Sequence, residues 1–288
     1  MDQDRILGCL VGHCLGDVLG MPHEFLRSIS SKTTYTGAIQ YQTSFFNHYQ
    51  NVTRTTVVGQ WSDDTELTVS LLDSIVEKGT WERENVLTHY LDFGNSCPFL
   101  GRNTRSLFKG VKTIRGYQNR FDPNNPSESN GFLMRAAPLS FLNEFYPDYE
   151  LSNPAKKCRK IAKLYYQILK NALEGDHSEF EIEKATKQQI RGKEKGWMII
   201  PLYLYQQCPV QGYPEVMKWV LEQGGDTDTN MAIVGSIISA VVGFEALMED
   251  ETTEKNWNKV LECDTELGDY PRPERFHPKR YLQLVKHF

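Results

Sequence analysis

The chain has 288 residues, 40% of them hydrophobic and 24% charged, with a formal net charge of -5. This is the composition of an ordinary folded, soluble protein and excludes a disordered or fibrous chain. The acidic balance, with no basic run longer than Lys156-Lys157 beside Arg159-Lys160, excludes general binding to nucleic-acid phosphates.

The N-terminus opens Met-Asp-Gln-Asp-Arg without a long apolar leader, and the six cysteines form no CxxC pair. Free thiols in a cytoplasmic protein are therefore expected. Ile6, Leu7, Leu10, Val11 and Leu15 recur at helical spacing, and within the same stretch Gly8, Gly12, Gly16 and Gly20 repeat every fourth residue. An interior helical glycine costs about 1 kcal/mol relative to alanine. Four on one face therefore predict a bare ridge that a second backbone approaches closely. Residues 53–58 are the one stretch with strand-like alternation.

Asp63 and Glu66, at capping-box spacing, open a second helix with Leu67, Leu71, Leu72, Ile75 and Val76 on one face and Gly79 as its stop. Further helices are predicted near 84–93, 104–116, 154–173, 179–190, 196–206 and 214–223, with proline-bearing loops at 122–129 and 269–278. The Glu- and Lys-rich stretch 174–196 reads as a solvated insertion. A last helix over 230–247 carries Gly235, Ser239 and Gly243 at spacing four, and this small-residue face is predicted to pack on the N-terminal glycine ridge. The apolar run 231–247 is too short and interrupted for a membrane span and reads as a buried core helix. Helix throughout and no linker predict one all-α domain over residues 1–288, taken as a monomer.

Two acidic clusters stand out. Ser62-Asp63-Asp64-Thr65 and Gly225-Asp226-Thr227-Asp228-Thr229 each place two carboxylates and hydroxyls where a loop becomes an apolar helix. One reading is capping alone, since acids and hydroxyls stabilise helix N-termini. The other is a metal site. One carboxylate suffices for a cap, and crowded carboxylates raise each other's pKa unless a cation lies between them. Oxygen-only donors suit Mg²⁺ or Mn²⁺ rather than zinc, and the seven histidines show no HxxxH spacing. Asp17 and Glu24 flank the end of the glycine helix. Asp17 reads first as a buried carboxylate bonded to backbone amides.

Four segments in chain order resemble the motifs of one family. They are Gly16-Asp17-Val18-Leu19-Gly20 with Glu24, then Gly59-Gln60-Trp61-Ser62-Asp63-Asp64-Thr65, then Ser129-Asn130-Gly131 through Met134-Arg135 to Pro138, and finally Gly224-Gly225-Asp226-Thr227-Asp228-Thr229-Asn230. The family is the ADP-ribosylglycohydrolases, which include the dinitrogenase-reductase-activating enzymes. The resemblance implies a compact all-α fold with a central dimetal cleft. It also implies Mg²⁺-dependent hydrolysis of the bond between ADP-ribose and a protein or small-molecule acceptor, two ions being held and Mn²⁺ an alternative.

By the same resemblance Ser62, Asp63, Asp64, Asp226, Asp228 and Thr229 would be metal ligands. Glu24 would be the catalytic base, working with Asp63 and Asp64. Ser127, Ser129, Asn130 and Gly131 would bind the ribose and diphosphate, with Gly101 and Thr104 as a further turn near the ligand. Ser62 stands where many members have threonine. Ser152-Asn153-Pro154 stands where many have Thr-His-Pro, so the histidine is absent. The rival expectations are a catalytically silent ADP-ribose-binding or crystallin-like structural member, and a dimetal phosphoesterase.

Overall fold

The computed structural model describes every residue except 1, 26–35, 40–42, 48–51, 99, 177–179 and 270. Asp2 accepts from the Asp4 amide and starts α1 (Gln3–Gly20). A hairpin of β1 (Thr43–Asn47) and β2 (Val52–Thr56) follows, Thr43 opposite Thr56 and Asn47 opposite Val52. It is the one sheet among the described residues, and β2 overlaps the alternating stretch. Then come α2 (Asp63–Lys78), stopped by Gly79 at φ 68°, and α3 (Arg83–Ser96). Where one helix is predicted over 104–116 there are two, α4 (Arg102–Phe108) and α5 (Ile114–Arg120), because Gly110 adopts φ 74° between them.

After the long amphipathic α6 (Lys156–Leu173), only the short α7 (Lys187–Ile190) forms within the predicted 179–190, whose first residue lies outside the described residues. The remainder is α8 (Ile200–Gln207), α9 (Tyr213–Gln223), α10 (Thr227–Val242), α11 (Phe244–Met248), α12 (Glu251–Leu261) and α13 (Tyr281–Leu284). The predicted helix over 230–247 is thus broken. Gly243 turns to φ 88°, and Asp4 reaches from α1 to accept the Glu245 amide at 2.9 Å, starting α11 afresh. The fold is all-α, as expected, with the hairpin as an addition.

The glycine ridge packs as its spacing predicts. α1 and α10 run antiparallel. A Cβ built on Gly12 would lie 1.9 Å from Ser239 Oγ and 2.7 Å from Gly235 O. One on Gly16 would lie 2.2 Å from Met231 O. Tyr213 Oη from α9 donates to Gly12 O at 2.9 Å across the same seam. The pair is buried nearly all round by α2, α6, α8 and α9. α1 is long and apolar enough by composition to cross a membrane, but 83% of its most apolar window is buried inside this fold. All six cysteines are unpaired.

The antiparallel seam has a positional consequence. The C-terminal end of α1 meets the N-terminal end of α10, where a Cβ on Gly20 would stand 2.5 Å from Thr227 O and 2.6 Å from Asp228 Cα. Thr227 Oγ1 donates to Gly20 O at 2.8 Å and ties the two ends together.

Candidate metal centre and cleft

The acidic loop at Ser62–Thr65 reaches the same place through Asp17, which is fully buried. Its carboxylate accepts from the Ser62 amide at 3.0 Å, the Thr65 amide at 3.1 Å and Thr65 Oγ1 at 2.6 Å. A carboxylate of α1 therefore supplies donors' partners at the N-terminus of α2, where four amides lack intrahelical partners. The cap residue proper is Ser62, whose Oγ accepts from the Asp64 amide at 3.2 Å.

This overturns the capping box between Asp63 and Glu66. With the first-turn amides already taken, Glu66 turns into the interior and pairs with Arg272 at 3.0 Å, both side chains buried. Arg272 comes from the proline-bearing loop 269–278.

Around this junction the carboxylates converge. Asp17, Asp64 and Asp228 can each offer an oxygen such that all three lie within 4.8 Å of one another, and so can Glu24, Asp226 and Asp228. Asp228 belongs to both triads. Gly225, at φ 82°, allows the turn that feeds them, and a Cβ there would sit 1.9 Å from Ile190 O.

Burial, and then the crowding of like charge, pushes the carboxyls of Asp64, Asp228 and Glu24 well above their usual range. Burial pushes Asp63 up to about 7, against the opposing pull of the Gly101 amide and Arg272. Asp226 is raised by burial and partly relieved by its hydrogen bond from Asn130 Nδ2 at 2.6 Å. Asp64 Oδ1 is buried with no hydrogen-bond partner. An all-oxygen donor set, an orphaned carboxylate oxygen and raised pKa values fit a hard divalent cation, which would replace the missing counter-charge. These acidic residues could bind a metal.

The carboxylates form the floor of a cleft of about 790 Å³. Of the residues singled out in the sequence, Glu24, Asp63, Asp64, Asp226, Asp228 and Thr229 line the floor. Gly101, Thr104, Ser127, Ser129, Asn130 and Gly131 line the walls. Ser62 does not reach the cleft; it is buried behind Asp64, its hydroxyl 3.0 Å from Asp64 Oδ2. Gly101 N donates to Asp63 Oδ2 at 3.1 Å, so α4 begins against the acidic floor.

The opposite loop is braced from behind. Asn153 Nδ2 donates to Ser127 O at 3.0 Å and to Ser129 O at 3.2 Å, and Ser152 Oγ donates to Asn153 Oδ1. Ser152 in turn accepts from Arg135, which is fully buried and paired with Asp148 at 2.8 Å.

Sequence reasoning missed one wall. The end of the supposed insertion, Gly192 to Gly196, lines the cleft together with Trp197 just beyond it. Glycines spaced four apart and followed by a tryptophan were a readable sign that this segment turns and packs. Trp61, by contrast, is core and lies against His277, ring centroids 4.7 Å apart.

The family model for ADP-ribosylglycohydrolases matches residues 1–164. The chain belongs to the ADP-ribosylglycohydrolase family. It is 27% identical over 149 residues to the ADP-ribosylarginine hydrolase Tri1 of Pseudomonas putida, a match covering 48% of this chain and 36% of that protein's length. It is 21% identical over 287 residues to the ADP-ribosyl-[dinitrogen reductase] glycohydrolase of Rhodospirillum rubrum, covering 84% of this chain and 87% of that one. A solved structure titled an ADP-ribosylglycohydrolase-related protein complex superposes with a TM-score of 0.60 at 20% identity, over 88% of this chain and 96% of that one. It shows the same fold.

Proposed function

We propose that this chain hydrolyses the glycosidic bond between ADP-ribose and an acceptor, releasing ADP-ribose, with two divalent ions, Mg²⁺ or Mn²⁺, in the acidic floor. The observation that carries the reading is the pair of carboxylate triads sharing Asp228 beneath a cleft large enough for a nucleotide. One ion would be held by Asp64 and Asp228 with Asp17 behind them, the other by Glu24, Asp226 and Asp228, with Asp63 and Thr229 alongside. Bound there, the ions would supply Lewis-acid charge that makes water a better nucleophile near neutral pH.

The chain's own residues do the rest. Glu24 stands at the floor's edge, half-buried; with cations offsetting the crowded acids that raise its carboxyl, it would be ionised and could take a proton from the attacking water at the anomeric carbon. Asn130, held on Asp226, and the Ser127–Ser129 turn present hydroxyl and amide groups along one wall for the ribose and diphosphate. Gly131 and Thr104 face each other, the built Cβ of Gly131 lying 3.7 Å from Thr104 Oγ1, and so bound the space left for the sugar. Asp17 positions rather than reacts, since three donors already hold its carboxylate.

The test is hydrolysis of a panel of ADP-ribosylated substrates by metal-stripped and Mg²⁺-loaded protein. ADP-ribosyl-arginine goes first, because arginine is the acceptor named for the Pseudomonas putida relative. Free ADP-ribose should appear only with metal. Full-rate release without metal, or release of inorganic phosphate instead, would overturn the proposal.

A further inference from the structure

An ADP-ribosyl group carries a diphosphate, and side chains of positive charge to meet it are few in this cleft. Besides the acidic floor, Glu128 and Glu194 stand on the walls. Among the described residues, the only positively charged side chains lining the cleft are Arg102, Lys193 and Lys195. Arg102 begins α4 next to Gly101, whose amide is on Asp63, and so lies at the metal end. The two lysines belong to the strap Gly192–Trp197. That strap runs from the metal loop, where Ile190 O abuts Gly225, to the Ser127–Gly131 wall, where a Cβ on Gly196 would lie 4.0 Å from Glu128 Oε2.

The strap is held by everything except those lysines. Thr186 and Gln189 form a capping box on α7. Gln189 Nε2 then donates to Lys195 O at 3.1 Å, and the Lys193 amide donates to Gln188 O at 2.8 Å. Trp197 Nε1 donates to Glu194 O at 2.6 Å, and its ring rests on Phe25, centroids 5.5 Å apart. Gly192 and Gly196 take φ 69° and 94°, conformations that side chains resist.

Glu194, the acid between the two lysines, accepts from Thr186 Oγ1 at 3.0 Å. Its carboxylate is engaged by that hydroxyl and forms no ion pair with either neighbour. Both ammonium groups are left without a hydrogen-bond or ion-pair partner among the described residues.

We propose that Lys193 and Lys195 are a cationic clamp for the diphosphate of the ADP-ribosyl group, reaching it from the strap that borders the cleft. The inference rests on the function proposed above. It also explains a division of labour on the facing wall. The side-chain amide donors of Asn153 are spent on the backbone of Ser127 and Ser129. That loop thus offers the ligand only neutral donors, and positive charge for the diphosphate must come from another segment of the cleft lining. An ammonium needs no fixed geometry to hold a phosphate, so two flexible lysines on a braced backbone suffice.

Calorimetric titration of ADP-ribose into the Mg²⁺-loaded full chain, repeated over a NaCl series, tests the clamp. Lys193→Gln with Lys195→Gln should weaken binding by about 2- to 30-fold, the range for two exposed ion pairs, and should flatten the dependence of Kd on salt. Lys193→Arg with Lys195→Arg should keep both. Mn²⁺ affinity, read by the loss of its free-ion paramagnetic signal, should be the same in all three proteins. An unchanged Kd and salt slope in the glutamine variant would overturn the clamp alone. So would a loss that arginine fails to restore, which would mark a structural role. A wild-type protein that does not bind ADP-ribose would instead sink the proposed function, and the clamp with it.

Discussion

Replacing Gly20 by alanine separates helix propensity from packing. Gly20 has φ -81° and ψ -35°, ordinary right-handed helical values, so alanine is conformationally welcome there and on propensity alone should stabilise α1 by about 1 kcal/mol. The structure argues the reverse. The new Cβ would meet Thr227 O at 2.5 Å and Asp228 Cα and N at 2.6 Å. All three are backbone atoms that cannot rotate away. Ordinary carbon contacts begin near 3.5 Å, so the helix ends must part by about 1 Å.

Overpacking of that kind costs about 1–3 kcal/mol, which cancels or exceeds the propensity gain. The larger effect is on the site, because the displaced residue is the carboxylate common to both triads. A displacement of about 1 Å at reacting groups can cost on the order of 100-fold in rate. Gly20→Ala should therefore lose most Mg²⁺-dependent release of ADP-ribose and weaken Mn²⁺ binding. Gly8→Ala is the control at the far end of the seam, where the Cβ would strike Ser239 O at 2.6 Å. It should lower the melting temperature yet leave metal affinity and kcat/KM near wild type. A Gly20→Ala protein with normal metal affinity and rate would refute the claim that the glycine ridge sets the metal loop.

Three further outcomes are expected. A carboxyl whose pKa is raised in the folded state holds extra protons there, so the metal-free protein should lose stability as pH rises from the unfolded carboxylate range near 4 towards the folded value, about 7 for Asp63. Divalent ions need those groups ionised. The rise in melting temperature on adding Mg²⁺ should thus be small at pH 5 and large at pH 8, and equal shifts at both would contradict the argument. Arg135→Met leaves Asp148 buried without its partner and should cost about 3–5 kcal/mol in urea unfolding; a loss below 1 kcal/mol would count against it. Asn153→Ala frees the Ser127–Ser129 turn, so KM should rise several-fold while kcat changes less. A fall in kcat at unchanged KM would deny the turn a role in binding.

What could be read from the sequence was what local chemistry dictates. Glycines every fourth residue have few explanations in a buried helix, so the packing of α1 on α10 was legible before any coordinates. Two acidic helix starts likewise announced themselves. Less legible were features decided by distant partners. Glu66 looks like the second half of a capping box until Asp17, from another helix, takes the amides it would have answered. The helix over 230–247 has no proline to break it. It breaks because Asp4, at the other end of the chain, caps a new start at Glu245. The strap at 192–197 was concealed by its composition, since lysine and glutamate between glycines look like solvent-facing chain whether or not a cleft lies beneath them.

The common cause behind these misses also accounts for the site. Asp17, Asp4 and Arg272 each satisfy a helix end or a charge on an element remote in sequence, and each acts where α1, α2, α10 or the C-terminal loop meet. Such cross-links are what allow several buried carboxylates to be forced together. A favourable acid at a single helix N-terminus is worth about 0.3–1 kcal/mol, whereas each additional acid in the floor raises the pKa of its neighbours. The fold holds them by a backbone contact that no side-chain rearrangement can relax, glycine against backbone at Gly20, and by the buried Asp17 carboxylate that ties the start of α2 to α1. A rigid frame keeps the carboxylates near one another while protonated, and the same frame leaves them arranged to receive a cation when they ionise. Stability without metal and affinity for metal should therefore trade against each other at Asp228, where neutralising to asparagine would stabilise the metal-free protein at pH 8 and abolish the ion-dependent gain. A metal-free Asp228→Asn protein less stable than wild type at that pH would show that the acids are balanced by something other than a cation.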